Sequence, residues 1–180
     1  MSHPTLQIGD CAPSFSLPGV DGKTYTLSTC ADASALVVVF SCNHCPYVQA
    51  YEDRLILLQH DYAERGVQLV AINANDDTSY AEDSFPNMVS RAQAKRFNFP
   101  YLRDGSQEVA TAYGATHTPH LFLFDRNRRL AYTGKIDDNW QHPDAVTQPY
   151  LRQAIDALLT GITPPEPVTH AIGCTIKWAH

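Results

Sequence analysis

The sequence lacks any extended cluster of positive charge. Among its 180 residues, 13 Lys and Arg are outnumbered by 19 Asp and Glu, which gives a formal net charge of −6. A surface that binds nucleic acid or anionic lipid needs clustered Lys and Arg side chains. We therefore expect partners that are proteins or small molecules, with no nucleic acid and no membrane among them.

Long apolar runs are also missing. No stretch approaches the roughly 20 residues that a membrane-spanning helix needs, and residues 1–10 lack the basic segment and apolar core of a secretory signal. These absences predict a cytoplasmic protein. In a reducing compartment, an odd count of five cysteines argues against a disulfide scaffold and for catalytic or simply reduced thiols.

A second pair of closely spaced metal ligands is absent as well. Cys42 and Cys45 have the spacing of half a zinc site, but the sequence contains no second CxxC and no HxxxH. A structural zinc site needs four ligands, so redox chemistry is the preferred interpretation, and no metal or organic cofactor is expected. The alternative is a soft ion such as Cu(I), held by Cys42, Cys45 and His44.

The length of 180 residues predicts one domain, residues 1–180. Asp21-Gly22 lies between two short alternating segments, which predicts an N-terminal hairpin within residues 8–30. The core is expected in residues 35–160, and residues 161–180 are expected to form a tail.

The cysteine pair lies between a predicted strand and a predicted helix. Residues 35–40 are an unbroken apolar run, typical of a strand buried on both faces. Cys42 is then expected at or just before the helix N-terminus, where free N–H groups and the helix dipole lower a thiol pKa. A protonated His44 would lower it further, and Cys45 is expected one turn inside the helix. Apolar side chains recur at helical spacing at Val48, Tyr51, Leu55, Leu58 and Tyr62.

The remaining pattern completes an α/β chain. An apolar strand at residues 67–73 should run parallel to the first, which places the cysteine pair at the carboxyl edge of a sheet. Other elements are predicted from periodicity and turn residues. They are helices at 84–97, 106–113 and 149–160, a short strand at 100–103, and a β-hairpin of 121–124 with 130–134.

Five segments together carry a resemblance to a known family. They are Cys42-Asn43-His44-Cys45-Pro46-Tyr47-Val48, Ala71-Ile72-Asn73-Ala74-Asn75, Thr118-Pro119, Lys135-Ile136-Asp137-Asp138-Asn139 and Gly173-Cys174-Thr175-Ile176-Lys177-Trp178. The set resembles the redoxin branch of thioredoxin-fold proteins, which includes peroxiredoxins and TlpA/ResA-like thiol-disulfide oxidoreductases, and within it a peroxiredoxin-like bacterial group. The resemblance implies an α/β thioredoxin-like fold: a central mixed β-sheet flanked by helices, with the N-terminal hairpin as an extension and a redoxin-type insertion.

The resemblance also implies roles for individual residues. Cys42 would be the nucleophile and Cys45 the resolving thiol. Pro119 would be a cis-proline facing their disulfide, and Thr118 would offer its backbone to an extended substrate segment. The implied activity is thiol-disulfide exchange with protein or small-molecule disulfides. An unidentified thiol would donate electrons, and no cofactor beyond the Cys42/Cys45 pair is implied.

Two departures limit what the resemblance implies. Thioredoxins carry a buried carboxylate six residues before the nucleophile, where this chain has Leu36. Another group must exchange the proton of the resolving thiol, and Glu52 and Asp53 are candidates, although solvated positions are expected for both. Peroxiredoxins carry Pro and Thr or Ser where this chain has Val38 and Cys42. Thiol peroxidase activity on hydroperoxides is therefore the alternative function.

A third thiol lies in the tail. Cys174 is followed by Ile176 and Trp178, which are apolar enough to fold the tail back and bring its thiol near Cys42 or Cys45. We hypothesise a regulatory or second resolving role for Cys174, and a packed, inert cysteine is the alternative.

The other cysteines and the histidines near Pro119 are expected to be bystanders. Cys11 and Cys30 should be small, partly buried residues. His117 and His120 are expected at the surface.

Overall fold

The computed structural model of the protein describes residues 4–180. Its strands are β1 (Ser16–Pro18), β2 (Thr24–Thr26), β3 (Ala35–Ser41), β4 (Val67–Asn73), β5 (Tyr101–Arg103), β6 (His117–Thr118), β7 (His120–Phe124), β8 (Leu130–Gly134) and β9 (Cys174–Thr175). Its α-helices are α1 (Pro46–Tyr62), α2 (Phe85–Lys95), α3 (Glu108–Tyr113) and α4 (Tyr150–Leu159). Across these described residues, no helix is both long and apolar enough to cross a membrane.

Five strands form a central mixed sheet in the order β5-β4-β3-β7-β8. Strands β3, β4 and β5 are parallel, while β7 is antiparallel to β3 and β8 is antiparallel to β7. The predicted β3-α1-β4 unit and the predicted hairpin of β7 with β8 are both present. The loop that leaves β3 therefore lies at the carboxyl edge of the parallel strands.

The central strand β3 is buried on both faces. Residues 35–40 are fully inaccessible, which explains why the run needs no polar alternation. On one face, Val37 shares an apolar cluster with Leu55 of α1. On the other face, Leu36 lies in the cluster that contains Tyr113 of α3. The position of the thioredoxin carboxylate is thus filled by a packed apolar side chain.

Both edges of the sheet are covered by neighbouring chain. The predicted N-terminal hairpin is present as β1 paired with β2, and Val20 in its turn donates its N–H to the Tyr101 carbonyl of β5 at 3.0 Å. At the other edge, residues after α4 run beside β8. The Thr133 N–H donates to the Pro167 carbonyl at 2.9 Å, and the Thr169 N–H donates to the Thr133 carbonyl at 3.0 Å. Part of the expected tail, residues 161–180, thus protects a sheet edge.

One helix boundary away from the cysteines differs from the expectation. Helix α2 ends at Lys95 because Arg96 adopts a left-handed backbone with φ of 55°. Phe97, expected on the inner face of this helix, lies beyond its end and still packs against the core cluster.

Candidate functional site

Helix α1 begins immediately after Cys45. Cys45 has an extended backbone (φ −71°, ψ 126°), and Pro46 occupies the first helical position. A residue before proline is driven out of the helical region, so Cys45 cannot lie inside the helix. The expectation that Cys45 lies one turn inside the helix is therefore wrong. Cys45 is the residue next to the free N–H groups, and Cys42 lies just past the end of β3.

Three sulfur atoms meet at this edge of the sheet. The Cys42 Sγ lies 3.5 Å from the Thr118 hydroxyl, and the Cys45 Sγ lies 3.4 Å from the Thr118 carbonyl oxygen. The Cys45 Sγ also lies 2.9 Å from the Cys174 Sγ, and all three thiols are unbridged. The predicted return of the tail toward the cysteine pair is thus observed, with the contact made to Cys45.

The two sulfurs of the CxxC have opposite pKa shifts. A hydrogen bond from the Cys42 thiol lowers the pKa of Cys45 far below its ordinary value, and this outweighs burial. The Cys174 thiol and the N–H groups of Val48 and Cys174 add to the effect. The hydrogen bond to Cys45 raises the pKa of Cys42, as do burial and the charge of Asp83. The thiolate expected at Cys42 is therefore favoured at Cys45.

Asp83 is a buried acidic residue that the sequence analysis missed. Its side chain is fully inaccessible and accepts hydrogen bonds from the Asn43 N–H at 2.7 Å and from the amides of Asn73 at 3.1 Å and Asn75 at 3.0 Å. It ends the 3-10 turn Ala81–Asp83, which follows β4. The signal that could have found it is its position after the carboxyl end of a parallel strand, on the same edge as the cysteines.

His44, predicted to tune the thiol pKa, lies against this carboxylate. Its Nδ1 is 2.7 Å from the Asp83 Oδ2, and its ring is parallel to the Tyr80 ring at 6.1 Å between centroids. The His44 side chain is 32% exposed, so the imidazole connects the buried carboxylate with solvent. Any charge on His44 therefore acts on Cys42 together with the negative charge of Asp83.

One grouping at the site has a metal-ligand character. Single donor atoms of Cys42, His44 and Asp83 all lie within 4.8 Å of one another. This set differs from the Cys42, Cys45 and His44 set expected for a soft ion, because Cys45 faces Cys174. Zn²⁺ accepts thiolate, imidazole and carboxylate ligands, but a structural zinc site needs four ligands and this set supplies three.

The wall facing the cysteines is built by β6 and the following proline. The Thr118–Pro119 peptide bond is cis, as predicted. Strand β6 pairs antiparallel with β9, with Thr118 opposite Cys174. The strand edge expected to receive a substrate segment is therefore occupied by the tail of the same chain.

The tail fits this position closely. A Cβ atom on Gly173 would lie 2.0 Å from the Thr118 carbonyl oxygen, so only glycine allows the approach. Ile176 is 3% exposed, and its N–H donates to the Thr116 carbonyl at 3.0 Å. Cys174 is thus held by contacts on both sides of it along the chain.

The acidic candidates in α1 are engaged elsewhere. Glu52 is 2% exposed and forms an ion pair with Arg91 of α2, so its expected solvated position is wrong. Asp53 has an exposed side chain as expected, and its carboxylate lies 2.7 Å from the Lys95 ammonium. Asp83 is the acidic group next to Cys42.

The structure also corrects some expectations about the residues predicted to be bystanders. His117 is half-buried, and His120 is buried because it pairs with Phe40 in the central sheet. The expectation of a surface position is therefore wrong for His120. Cys30 is buried, whereas Cys11 is exposed rather than partly buried.

Comparison with known proteins identifies the family. A family model described as Redoxin matches residues 7–148, which is most of the chain. The thiol-disulfide oxidoreductase ResA of Geobacillus thermodenitrificans (strain NG80-2) is 25% identical over 149 residues, covering 78% of this chain and 79% of the relative.

Two solved structures share the fold over nearly the whole chain. A hypothetical protein from Sinorhizobium meliloti 1021 is 40% identical and covers 98% of this chain and 97% of its own, with a TM-score of 0.92. An uncharacterized conserved protein from Geobacillus kaustophilus is 42% identical and covers 99% of this chain and 96% of its own, with a TM-score of 0.91.

The fold and the family match define an oxidoreductase with a thioredoxin-like fold, as the sequence resemblance implied. The chain belongs to the redoxin family.

Proposed function

We propose that this protein is a thiol-disulfide oxidoreductase in which Cys42 and Cys45 alternate between a dithiol and a disulfide. Its substrates are disulfides of proteins or small molecules, a thiol donor restores the dithiol, and no metal or organic cofactor takes part. The observation that carries the proposal is the environment of Cys45. Its sulfur lies 2.9 Å from the Cys174 sulfur and beside the Cys42 thiol, the Val48 N–H of α1 and the Cys174 N–H of the tail. These contacts lower the pKa of Cys45 and favour its thiolate, and the neighbouring thiol, Cys42, can close a bridge.

The exchange proceeds in two displacements. The Cys45 thiolate attacks one sulfur of a disulfide that has come within its reach, and the other sulfur leaves as a thiolate. Cys42 then loses its proton and attacks the Cys45 sulfur, which forms the Cys42–Cys45 bond and releases the remaining partner sulfur. Two electrons pass from the cysteine pair to the substrate. This order reverses the roles implied by the family resemblance, because the thiolate is favoured at Cys45.

Asp83 and His44 are proposed to remove the proton of Cys42 in the second displacement. The donor atoms of these three residues lie within 4.8 Å of one another, and the imidazole is partly exposed. A buried carboxylate in contact with an imidazole can pass the proton to water. Thioredoxins have a buried carboxylate where this chain has Leu36, and Asp83 would act in its place.

Reduction of insulin disulfides with dithiothreitol as the electron donor tests the proposal. Cys42→Ser and Cys45→Ser should each lower the rate at least 100-fold, because each removes one sulfur of the pair. Cys11→Ser is the matched control and should retain the wild-type rate, because Cys11 is exposed and separate from the three-sulfur site. Full activity of Cys45→Ser would rule out the mechanism.

A hydroperoxide substrate has less support than a disulfide. Val38 stands where peroxiredoxins have proline, and it is fully buried inside β3. Peroxide consumption by the reduced protein, followed by stopped flow, is expected to be slow compared with disulfide exchange.

We also propose a reducing compartment such as the cytoplasm, which cell fractionation would test.

A further inference from the structure

The three sulfurs differ in their access to solvent. Cys45 is fully buried and Cys42 is 2% exposed, while Cys174 is partly exposed. With the tail in place, Cys174 is therefore the residue of the three that an external disulfide meets. The disulfide reaches the other two only if the tail leaves.

The tail is built to stay in place. The Lys177 carbonyl accepts hydrogen bonds from the Asp76 N–H at 2.7 Å and from the Gln107 amide at 2.9 Å. The Gln107 side chain also accepts the Ala179 N–H at 2.9 Å. Withdrawal of the tail would break these bonds and expose Ile176, which is buried in the apolar cluster of α3. Opening the site by removing the tail is therefore costly.

The contact between Cys45 and Cys174 is suited to exchange. The two sulfurs are 2.9 Å apart, compared with about 2.05 Å in a disulfide, so a small movement forms the bond. Cys174 also occupies the strand position opposite Thr118 that the family resemblance assigns to a substrate.

We propose that Cys174 is the third catalytic thiol, which exchanges with external disulfides and connects them to the buried Cys42/Cys45 pair. This inference rests on the proposed function and deepens it. The sulfur that Cys45 attacks is then the Cys174 sulfur, which is joined to half of the substrate in a mixed disulfide.

The sequence of steps balances in atoms and electrons. The Cys174 thiolate attacks an external disulfide, forms a mixed disulfide, and releases one substrate thiolate, which takes up a proton. The Cys45 thiolate attacks the Cys174 sulfur, forms the Cys45–Cys174 bond and releases the second substrate thiolate. Cys42 then gives its proton to Asp83 and His44, attacks the Cys45 sulfur and forms the Cys42–Cys45 bond, and Cys174 leaves as a thiolate that takes up a proton. In the opposite direction, the stabilised Cys45 thiolate is a good leaving group when an external thiol attacks Cys174.

The first experiment removes only the third sulfur. Cys174→Ser and Cys174→Ala are compared with wild type in insulin reduction, with Thr175→Ser as the control for a change in the same exposed stretch of tail. Loss of at least tenfold in both Cys174 variants, with Thr175→Ser unchanged, is expected. A wild-type or higher rate in the Cys174 variants would overturn the proposal, because the tail would then only cover the site.

The second experiment traps the intermediate. Cys42→Ser treated with one equivalent of oxidised glutathione should form a Cys45–Cys174 disulfide, detected by mass spectrometry after alkylation. A stable glutathione adduct on Cys45 instead would overturn this relay, that is, the transfer from the external disulfide through Cys174 to Cys45. If the relay alone fails, Cys42→Ser and Cys45→Ser still lose insulin reduction while the Cys174 variants keep it. If wild type has no activity, the proposed function fails as well.

The third measurement is the pH profile of the reaction of reduced protein with oxidised glutathione. Burial and the contact with Cys45 raise the pKa of Cys174. The rate should therefore rise about tenfold per pH unit through neutrality, as the thiolate fraction of Cys174 grows. A rate that is flat between about pH 6 and 8 indicates direct attack by Cys45, whose pKa is low, and contradicts the relay.

Discussion

Two buried cysteines at opposite ends of β3 differ in what surrounds their sulfurs. Cys30 ends the 3-10 turn Ser28–Cys30 ahead of the strand and is 7% exposed, and burial raises its pKa. Cys45 follows the strand and is more deeply buried, yet its pKa is lowered. The difference lies in the groups near the sulfur, since the Cys42 and Cys174 thiols and the N–H groups of Val48 and Cys174 lie around Cys45. Burial alone therefore does not decide the charge of a thiol in this fold.

His120 and Asp83 are two other buried groups that differ in the number of hydrogen-bond donors around them. His120 is dominated by burial, with His117 as a further unfavourable charge, and its pKa is lowered to about 4. Asp83 is as inaccessible as Cys45 and, like it, is surrounded by hydrogen-bond donors. The donor-rich groups lie at the candidate site, as expected where buried charge is needed for chemistry.

The largest expected effect is on the thiolate of the reduced protein. Because the pKa of Cys45 is lowered and that of Cys30 is raised, Cys45 should be ionised at pH 6 while Cys30 keeps its proton. Absorbance at 240 nm should then correspond to about one thiolate per chain, against almost none for ordinary thiols with a pKa of about 8.5. Cys45→Ser should abolish the signal and Cys30→Ser should retain it. Persistence of the signal in Cys45→Ser would place the thiolate on another cysteine and contradict the assignment to Cys45.

A second prediction concerns stability at low pH. His120 titrates near 4 in the folded protein and near 6.5 when unfolded, so the unfolded chain binds more protons between these values. Its contribution is complete above pH 6.5 and is lost as the pH falls to about 4, by about 3 kcal/mol. His120→Gln should therefore show a shallower decline of the free energy of unfolding over this range, measured by urea denaturation. His60→Gln, at an exposed position, should decline in parallel with wild type. If the free energy of unfolding of His120→Gln declined in parallel with that of wild type, the lowered pKa of His120 would be contradicted.

The sequence was sufficient for elements whose pattern is local. Strand β4 and the apolar face of α1 follow from spacing alone, because neighbouring residues decide them. The start of α1 was also available in principle, since Pro46 excludes Cys45 from the helix. The CxxC spacing favours a second cysteine inside the helix, and the proline that follows Cys45 overrides that preference.

The parts that were missed depend on contacts between distant segments. Strand β9 has two residues, and it exists because Gly173 can approach Thr118 far along the chain. Asp83 is buried because amides from separate segments reach it, which no local pattern records. His120 is polar, so its place in the central sheet was hidden by its residue type.

The smallest of the three effects tests whether the donors around Asp83 stabilise the fold. Asp83→Asn keeps the size of the side chain, but an amide has one acceptor oxygen where the carboxylate has two. The Asn43 and Asn73 donors contact Oδ1, while Asn75 and His44 contact Oδ2, so one set loses its acceptor. Unpaired buried donors cost about 1–3 kcal/mol, and we expect a loss of about 2 kcal/mol in urea unfolding.

The matched control is Asp77→Asn, which removes a more exposed carboxylate 3.3 Å from Arg103. Surface pairs contribute less than about 1 kcal/mol, so this variant should unfold close to wild type. Equal losses in the two variants would mean that the buried network adds nothing beyond an ordinary ion pair. Since the charge of Asp83 helps raise the pKa of Cys42, Asp83→Asn should also shift the Cys42 titration to lower pH, followed at 240 nm in the reduced protein. That shift connects the stability of the network to the chemistry of the thiol beside it.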